Sequence, residues 1–209
     1  MKVWLIKLEE QVPMDESYRP YRMGMLADAL VDRGYHVTRW CSDLNHLSGE
    51  YRFNKDTVIR LDDNQSFEFL NSGVKLTKAV SVLRLLDNLL LAWKFKKYAL
   101  ASEKPDLIVC AMPTLSLAKK SAEISQYFDI PLVIDARDYW PDIFENELIG
   151  LKKELVKPIV YLMRKSLFKA CGVASSLVGI TPFYRQHLLN YSGRLVSGLD
   201  KVFPLGFDA

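Results

Sequence analysis

Short apolar runs separated by stretches of helical spacing constrain this chain more than any other feature. Val3–Leu8, Leu107–Cys110, Pro131–Ile134 and Leu177–Ile180 are apolar with little alternation, the pattern of strands buried on both faces of a parallel sheet. His36–Cys41 and Thr57–Leu61 read as two more strands, separated by a long loop through Asp43, His46 and Gly49. Between them, Tyr21, Met25, Ala29 and Leu30 fall on one helical face that closes at Arg33-Gly34, where glycine can take a left-handed cap. Further helices are expected over Ala79–Ser102, with Leu83, Leu86, Leu90 and Trp93 on its apolar stripe, and over Thr114–Phe128, Lys152–Lys169 and Pro182–Asn190. Alternating strands and helices of this kind predict one α/β domain, an open parallel sheet with helices on both faces. A chain of 209 residues has ample length to bury such a core.

Composition narrows the setting. Hydrophobic residues make up 49% and charged residues 25%, which excludes a disordered chain. The formal charge of +3 is too small to point to nucleic acid. Cys41, Cys110 and Cys171 have no paired spacing, and His36, His46 and His187 lack metal-ligand spacing. Neither a disulfide framework nor a zinc site is expected, in keeping with a reducing cytoplasm. The N-terminal apolar run is too short for a signal peptide, and no apolar stretch is long enough to span a bilayer.

In open α/β sheets ligands bind beyond the carboxyl ends of the strands. The loops to read for function are therefore Glu9–Pro20, Ser42–Glu50, Met112–Thr114, Asp135–Leu148 and Thr181-Pro182. The turn after the first strand contains no glycine, so the G-x-G-x-x-G dinucleotide fingerprint is absent, as is a G-x-x-x-x-G-K-[ST] phosphate loop. There is no G-x-S-x-G elbow either.

What the chain does carry is an ordered set of local patterns. Arg22…Leu26-Ala27…Leu30…Arg33-Gly34-Tyr35-His36-Val37-Thr38 is followed by Ser42-Asp43-Leu44-Asn45-His46 and by Pro105-Asp106-Leu107-Ile108-Val109 with Met112-Pro113-Thr114. Then come Ile130-Pro131-Leu132-Val133-Ile134-Asp135-Ala136-Arg137-Asp138-Tyr139-Trp140-Pro141, Ser176-Leu177-Val178-Gly179-Ile180-Thr181, and Lys201-Val202-Phe203-Pro204-Leu205-Gly206-Phe207-Asp208. Together these resemble the N-terminal domain of glycosyltransferase family 4, most closely its bacterial surface-polysaccharide members. The resemblance implies a two-lobed enzyme with Rossmann-like lobes facing a cleft. Residues 1–209 would form the acceptor-binding lobe, and a C-terminal nucleotide-sugar-binding lobe would lie outside this chain. It further implies transfer with retention from a nucleotide-sugar donor to a glycan or lipid-linked acceptor, with no metal or other cofactor. The chain by itself would be inactive without the donor lobe.

On that resemblance, Asp138 and Arg137 are the catalytic candidates, just past an apolar strand at the ligand-binding edge, with Asp138 orienting the attacking hydroxyl. Arg137 stands where many members carry histidine; its structural alternative is an ion pair with Asp135 or Asp142. His46, Arg22, Met112, Pro113, Thr114, Trp140 and Thr181 are the substrate-binding candidates. For Trp140 the alternatives are stacking on a sugar ring or packing beside Pro141; for Thr181, anchoring a phosphate or capping its helix. Arg19 or Arg22 would supply the positive charge that the glycine-free first loop does not.

Charge is unevenly spread. Lys75–Lys104 and Lys152–Lys169 each carry a net +5, so the remainder of a chain totalling +3 is acidic. Such stretches beside Leu89, Leu90, Leu91, Trp93 and Phe95 predict contact of Lys94, Lys96 and Lys97 with an anionic membrane surface, hence a peripheral place on the cytoplasmic face. The alternative is a solvated basic face over an apolar core stripe. A rival reading of the whole chain is a non-catalytic Rossmann-like module that holds a ligand or partner.

Overall fold

Lys2–Ile6 forms the strand β1 around which everything else is arranged in the computed structural model, which describes residues 1–16, 18–74, 82–144 and 150–206. Residues 79–81 of the expected second helix, Lys75 and Lys78, residues 145–149 of the loop after Asp135, and Phe207 and Asp208 lie outside the described residues, as do the side chains of Val82, Leu151 and Lys152.

After β1 come helix α1 (Arg22–Val31), β2 (His36–Ser42), β3 (Thr57–Arg60) and β4 (Gln65–Leu70). Helix α2 (Val82–Ala101), β5 (Leu107–Ala111), α3 (Leu115–Phe128) and β6 (Leu132–Ala136) follow. The chain continues through α4 (Leu151–Val173), β7 (Ser176–Gly179), α5 (Pro182–Ser192) and β8 (Lys201–Val202). The strands form one sheet in the order β3-β4-β2-β1-β5-β6-β7-β8. Every neighbouring pair is parallel except β3–β4, an antiparallel hairpin at the edge.

Two differences from the sequence reading have physical causes. Strand β4 was not among the expected strands: Phe67 and Phe69 point into one core while Ser66 and Glu68 face the other way, so the segment alternates instead of reading as an apolar run. The turn before it is closed by the Asp62 carboxylate, which accepts from the backbone N–H groups of Asn64 and Gln65 at 2.7 Å each.

The second concerns α2. Its buried face carries Asp87, Leu91, Ala92, Phe95 and Ala99, whereas Leu83, Leu86, Leu89 and Trp93 are exposed. The expected apolar stripe was therefore set on the wrong face of the helix. Ala92 and Ala99 let the helix approach the sheet closely, and Phe95 meets Trp40 edge-on at 5.0 Å.

The strand side chains divide into two cores. Trp4, Ile6, Trp40 and Cys110 pack beneath α2, α3, α4 and α5. Val3, Leu5, Val37 and Val109 pack on the opposite face beneath Met23 and Ala27 of α1. Helix α1 ends as expected, with Gly34 at φ +77° and its N–H donating to the Val31 carbonyl at 2.8 Å. Strand order reverses between β1 and β5, and such a switch point opens a crevice at the carboxyl edge of a sheet.

Candidate functional site

At that edge lies a polar cavity of about 430 Å³, walled by Lys7, Glu9 and Glu10 after β1, Asn45 and His46 after β2, the first turn of α1, and Arg137 after β6. Its organising group is Glu10, buried in the loop that follows β1. Helix α1 has no side-chain cap of its own at Tyr21. The Glu10 carboxylate replaces it, accepting from the Met23 N–H at 3.1 Å, and a negative charge there also suits the helix dipole. The same carboxylate accepts from Arg137 Nη1 at 2.6 Å and stands 3.6 Å from Arg39 Nη2. One acid thus fixes the start of α1 and two guanidinium groups.

Arg22 and Asp135 form the second tie. Arg22 Nε and Nη2 donate to the two Asp135 oxygens at 2.9 and 3.1 Å. Arg22 Nη1 donates to the carbonyls of Phe203 and Pro204 at 2.9 and 3.2 Å, binding the segment after β8 to this edge. Arg137 Nε also reaches Asp135 at 3.3 Å. Of the two structural partners considered for Arg137, Asp135 is therefore engaged, while Asp142 instead accepts from Arg164 and Tyr191. Arg137 Nη2 is buried and has no hydrogen-bond partner among the described residues.

The third tie runs through His46. Arg84 Nη2 donates to Glu9 at 2.6 Å and lies 3.0 Å from His46 Nδ1. A guanidinium can only donate, so Nδ1 accepts and the imidazole proton is assigned to Nε2. Burial pushes the His46 pKa down to about 4, against the opposing charge of Glu9 and with that of Arg84, leaving a neutral ring at pH 7. Nε2 is buried and has no partner among the described residues, which leaves an N–H donor for a ligand. Burial alone would raise the Glu9 carboxyl, but the charges of Lys7 and Arg84 and the Arg84 hydrogen bond hold it below its ordinary range. The Lys7 ammonium is likewise lowered, chiefly by burial, and donates to the Met112 carbonyl at 3.3 Å.

Asp138 lies two residues past β6 and close enough to Lys7 to raise its pKa. It makes no hydrogen bond among the described residues, so both carboxylate oxygens are open to a ligand. Asp138 is not in the lining of the polar cavity, whereas Arg19 is exposed at its rim.

The other sequence candidates sit elsewhere on the edge. Met112 is buried; Pro113, Thr114 and Trp140 line a separate apolar groove. Thr114 ends the loop before α3, with its carbonyl accepting from Leu117 and Ala118. The Trp140 ring packs edge-on against Phe144 at 4.8 Å, and its carbonyl lies 3.1 Å from His187 Nε2. Thr181 caps α5 through its hydroxyl, which accepts from the Tyr184 N–H at 3.4 Å, with Pro182 in the first turn. Lys94 and Lys96 are held by Asp56 and Glu123 at 2.7 Å each. Lys97 instead lies over the Trp93 ring, 5.7 Å from its centroid.

Lys7, Glu9, Glu10 and Arg84 were not among the sequence candidates. A signal was present for three of them. Lys7, Glu9 and Glu10 follow the first apolar strand as directly as Arg137 and Asp138 follow β6, and the same rule about strand ends applies to both.

No family model matches the sequence, and no curated protein matches it. Solved structures do. Sucrose-phosphate synthase from Thermosynechococcus elongatus is similar over 97% of this chain and 47% of its own, with TM-score 0.65 and 14% identity. A shorter chain of the same enzyme is similar over 99% of this chain and 90% of its own, with TM-score 0.58 and 14% identity. α,α-Trehalose 6-phosphate synthase from Burkholderia multivorans is similar over 91% and 41%, with TM-score 0.50 and 12% identity. At these identities the likeness is one of fold. The chain has the fold of one Rossmann-like lobe of a two-lobed glycosyltransferase and spans about half the length of the longer synthase chain.

Proposed function

We propose that this chain is the acceptor-binding lobe of a retaining glycosyltransferase of the family 4, surface-polysaccharide type. It moves a sugar from a nucleotide-sugar to a lipid-linked glycan at the cytoplasmic face of a membrane. The observation that carries the reading is the polar cavity at the carboxyl edge of β1, β2 and β6, in a lobe with the glycosyltransferase fold.

Unsatisfied buried donors at His46 Nε2 and Arg137 Nη2 suit the hydroxyl or phosphate oxygens of an acceptor, which would fill hydrogen bonds the protein leaves open. The Asp138 carboxylate accepts from the attacking hydroxyl and orients it. Positive charge around the cavity stabilises the leaving diphosphate as the oxocarbenium-like transition state forms. The tight mutual ties of Glu10, Arg137, Arg22 and Asp135 hold these groups in place before substrate arrives, so little reorganisation is needed at the moment of transfer.

Nucleotide-sugar binding belongs to a second lobe outside these residues. The test follows from that division. The purified 209-residue chain should release no nucleoside diphosphate from UDP-, GDP- or ADP-sugars, whereas a polypeptide extended to include a donor lobe should do so. Turnover by the chain alone at a rate typical of enzymes would overturn the division between lobes.

A further inference from the structure

Helices α2 and α4 leave a continuous apolar face uncovered. On α2 the exposed stripe is Leu83, Leu86, Leu89 and Trp93, with Leu89 59% and Trp93 57% exposed. On α4 it is Leu155, Ile159 and Leu162, with Leu155 68% and Leu162 62% exposed. Their spacing of three and four residues puts each set on one side of its helix. Between the two helices, above the start of α3, runs an apolar groove of about 240 Å³ whose walls include Leu85, Leu89, Ile159, Leu162 and Met163. Large side chains this exposed on two neighbouring helices form more than the scattered apolar surface of an ordinary monomer.

Charge identifies what covers it. Lys97 lies over Trp93 on α2, and Lys165 lies over Tyr161 on α4 at 6.0 Å. Neither lysine forms an ion pair with a described residue. Tyr161 is exposed as well. Helix α2 therefore presents aliphatic side chains, then an aromatic ring, then a free ammonium group one turn further on, and α4 carries an aromatic ring and a free ammonium group one turn apart beside its aliphatic stripe. That sequence matches the layers of a lipid leaflet, with its hydrocarbon, interfacial and anionic headgroup zones. A protein partner would call for carboxylates opposite the lysines and gives no reason for the aromatic residues between.

Position adds a second argument. Pro113, Thr114 and Trp140 line the groove, and Pro113 follows Met112, whose carbonyl accepts from Lys7 in the polar cavity. The apolar groove and the polar cavity thus adjoin at one end of the sheet. A lipid chain in the groove would have its polar head beside the cavity.

We propose that this face docks on an anionic lipid leaflet, with the α2–α4 groove taking a hydrocarbon chain and Lys97 and Lys165 meeting headgroup phosphates. The inference rests on the lipid-linked-acceptor reading and names the surface that serves it. It replaces Lys94 and Lys96, which are held by carboxylates, with Lys165 and the exposed leucines.

The test is flotation of the purified chain with vesicles of equimolar phosphatidylglycerol and phosphatidylcholine, and with phosphatidylcholine alone. Both are run at about 0.05 M and about 0.5 M NaCl, since the higher salt shortens screening to a few ångströms. Wild type should float with anionic vesicles at low salt and less at high salt. Lys97→Gln with Lys165→Gln should weaken low-salt binding roughly tenfold. Leu86→Ser with Leu89→Ser should weaken it more than tenfold at either salt. These side chains are exposed, so melting temperatures should match wild type, and a matched melt excludes unfolding as the cause. Wild type that stays with the solvent at low salt would overturn the proposal. So would leucine variants that abolish self-association in sedimentation while leaving vesicle binding unchanged, which would make the face an interface between copies. Flotation needs no donor sugar and no turnover, so its failure is distinguishable from failure of the transferase reading.

Discussion

Glu10→Gln perturbs the polar edge at its most connected point. Gln keeps the shape and one oxygen for the Met23 N–H, but it removes the charge that faces Arg137 at 2.6 Å and Arg39 at 3.6 Å. Arg39 is 2% exposed and would keep the Gln11 carbonyl at 3.3 Å, the face of Phe67 at 5.2 Å and the attraction of the Asp15 carboxylate. Breaking one side of a buried ion pair costs about 3–5 kcal/mol because the remaining charge stays buried. Arg137 retains Asp135 at 3.3 Å, which favours the lower end, about 3 kcal/mol. For a chain of this length that lowers Tm by roughly 6–12 °C, at about 2–4 °C per kcal/mol. Urea unfolding followed by circular dichroism measures it: the midpoint should fall while the slope stays constant. Arg137→Met and the double variant complete a cycle, with a coupling on the order of 1–3 kcal/mol. A loss under about 1 kcal/mol, or simple additivity, would refute the role given to Glu10 as the organising charge.

Two further outcomes are expected. The His46 pKa falls from 6.5 to about 4 on folding, chiefly by burial, so the unfolded chain binds an extra proton between those values. The stability that the neutral ring contributes is complete above pH 6.5 and is lost as pH drops toward 4. Thermal melts stepped through that range should show a steeper acid loss for wild type than for His46→Gln, and parallel slopes would place a charged, solvated ring there instead. Gly179→Ala, at the end of β7, would put a Cβ 2.4 Å from the Arg185 backbone nitrogen. With backbone as the obstacle, the cost should reach or exceed about 3 kcal/mol, and a melting temperature equal to wild type would contradict the close approach of α5 to β7.

The sheet was legible wherever strands are buried on both faces. Val3, Leu5, Ile108 and Ile134 sit in runs with no polar alternation, and all four are core. The edge was harder. Strand β4 alternates in character, and β3 pairs antiparallel, because near a sheet edge one face is less covered and polar residues are tolerated there. In α2, leucines at 83, 85, 86, 89, 90 and 91 allow more than one apolar stripe. The choice is made by tertiary contact, with Phe95 and Ala99 fitting beneath the sheet and Trp93 left outside. At the site, the strand-end rule pointed to Arg137 and to the loop Glu9–Pro20 after the first strand, without singling out Glu9 and Glu10 within it. What no local pattern reveals is pairing at long range, such as Glu10 with Arg137 or Arg22 with Asp135, separated by 127 and 113 positions. The bulk and charge of those residues are visible in sequence; the fold decides which of them meet.

Transfer and stability measured together on Asp138→Asn provide the most direct test. On the proposed division between lobes, the assay uses a polypeptide extended to include a donor lobe and follows nucleoside diphosphate release from a panel of nucleotide-sugars in the presence of lipid-linked glycans. A melt is recorded on the same preparation. Asp138 makes no hydrogen bond among the described residues and is partly exposed, so Asn should leave Tm unchanged. Losing one charge-assisted hydrogen bond to the attacking hydroxyl, worth about 1.5–3 kcal/mol, should slow transfer roughly ten- to a hundredfold. No release from any nucleotide-sugar by the two-lobe wild type would contradict the assignment as a glycosyltransferase lobe. An early-melting Asp138→Asn with normal specific activity in its folded fraction would contradict the role of Asp138.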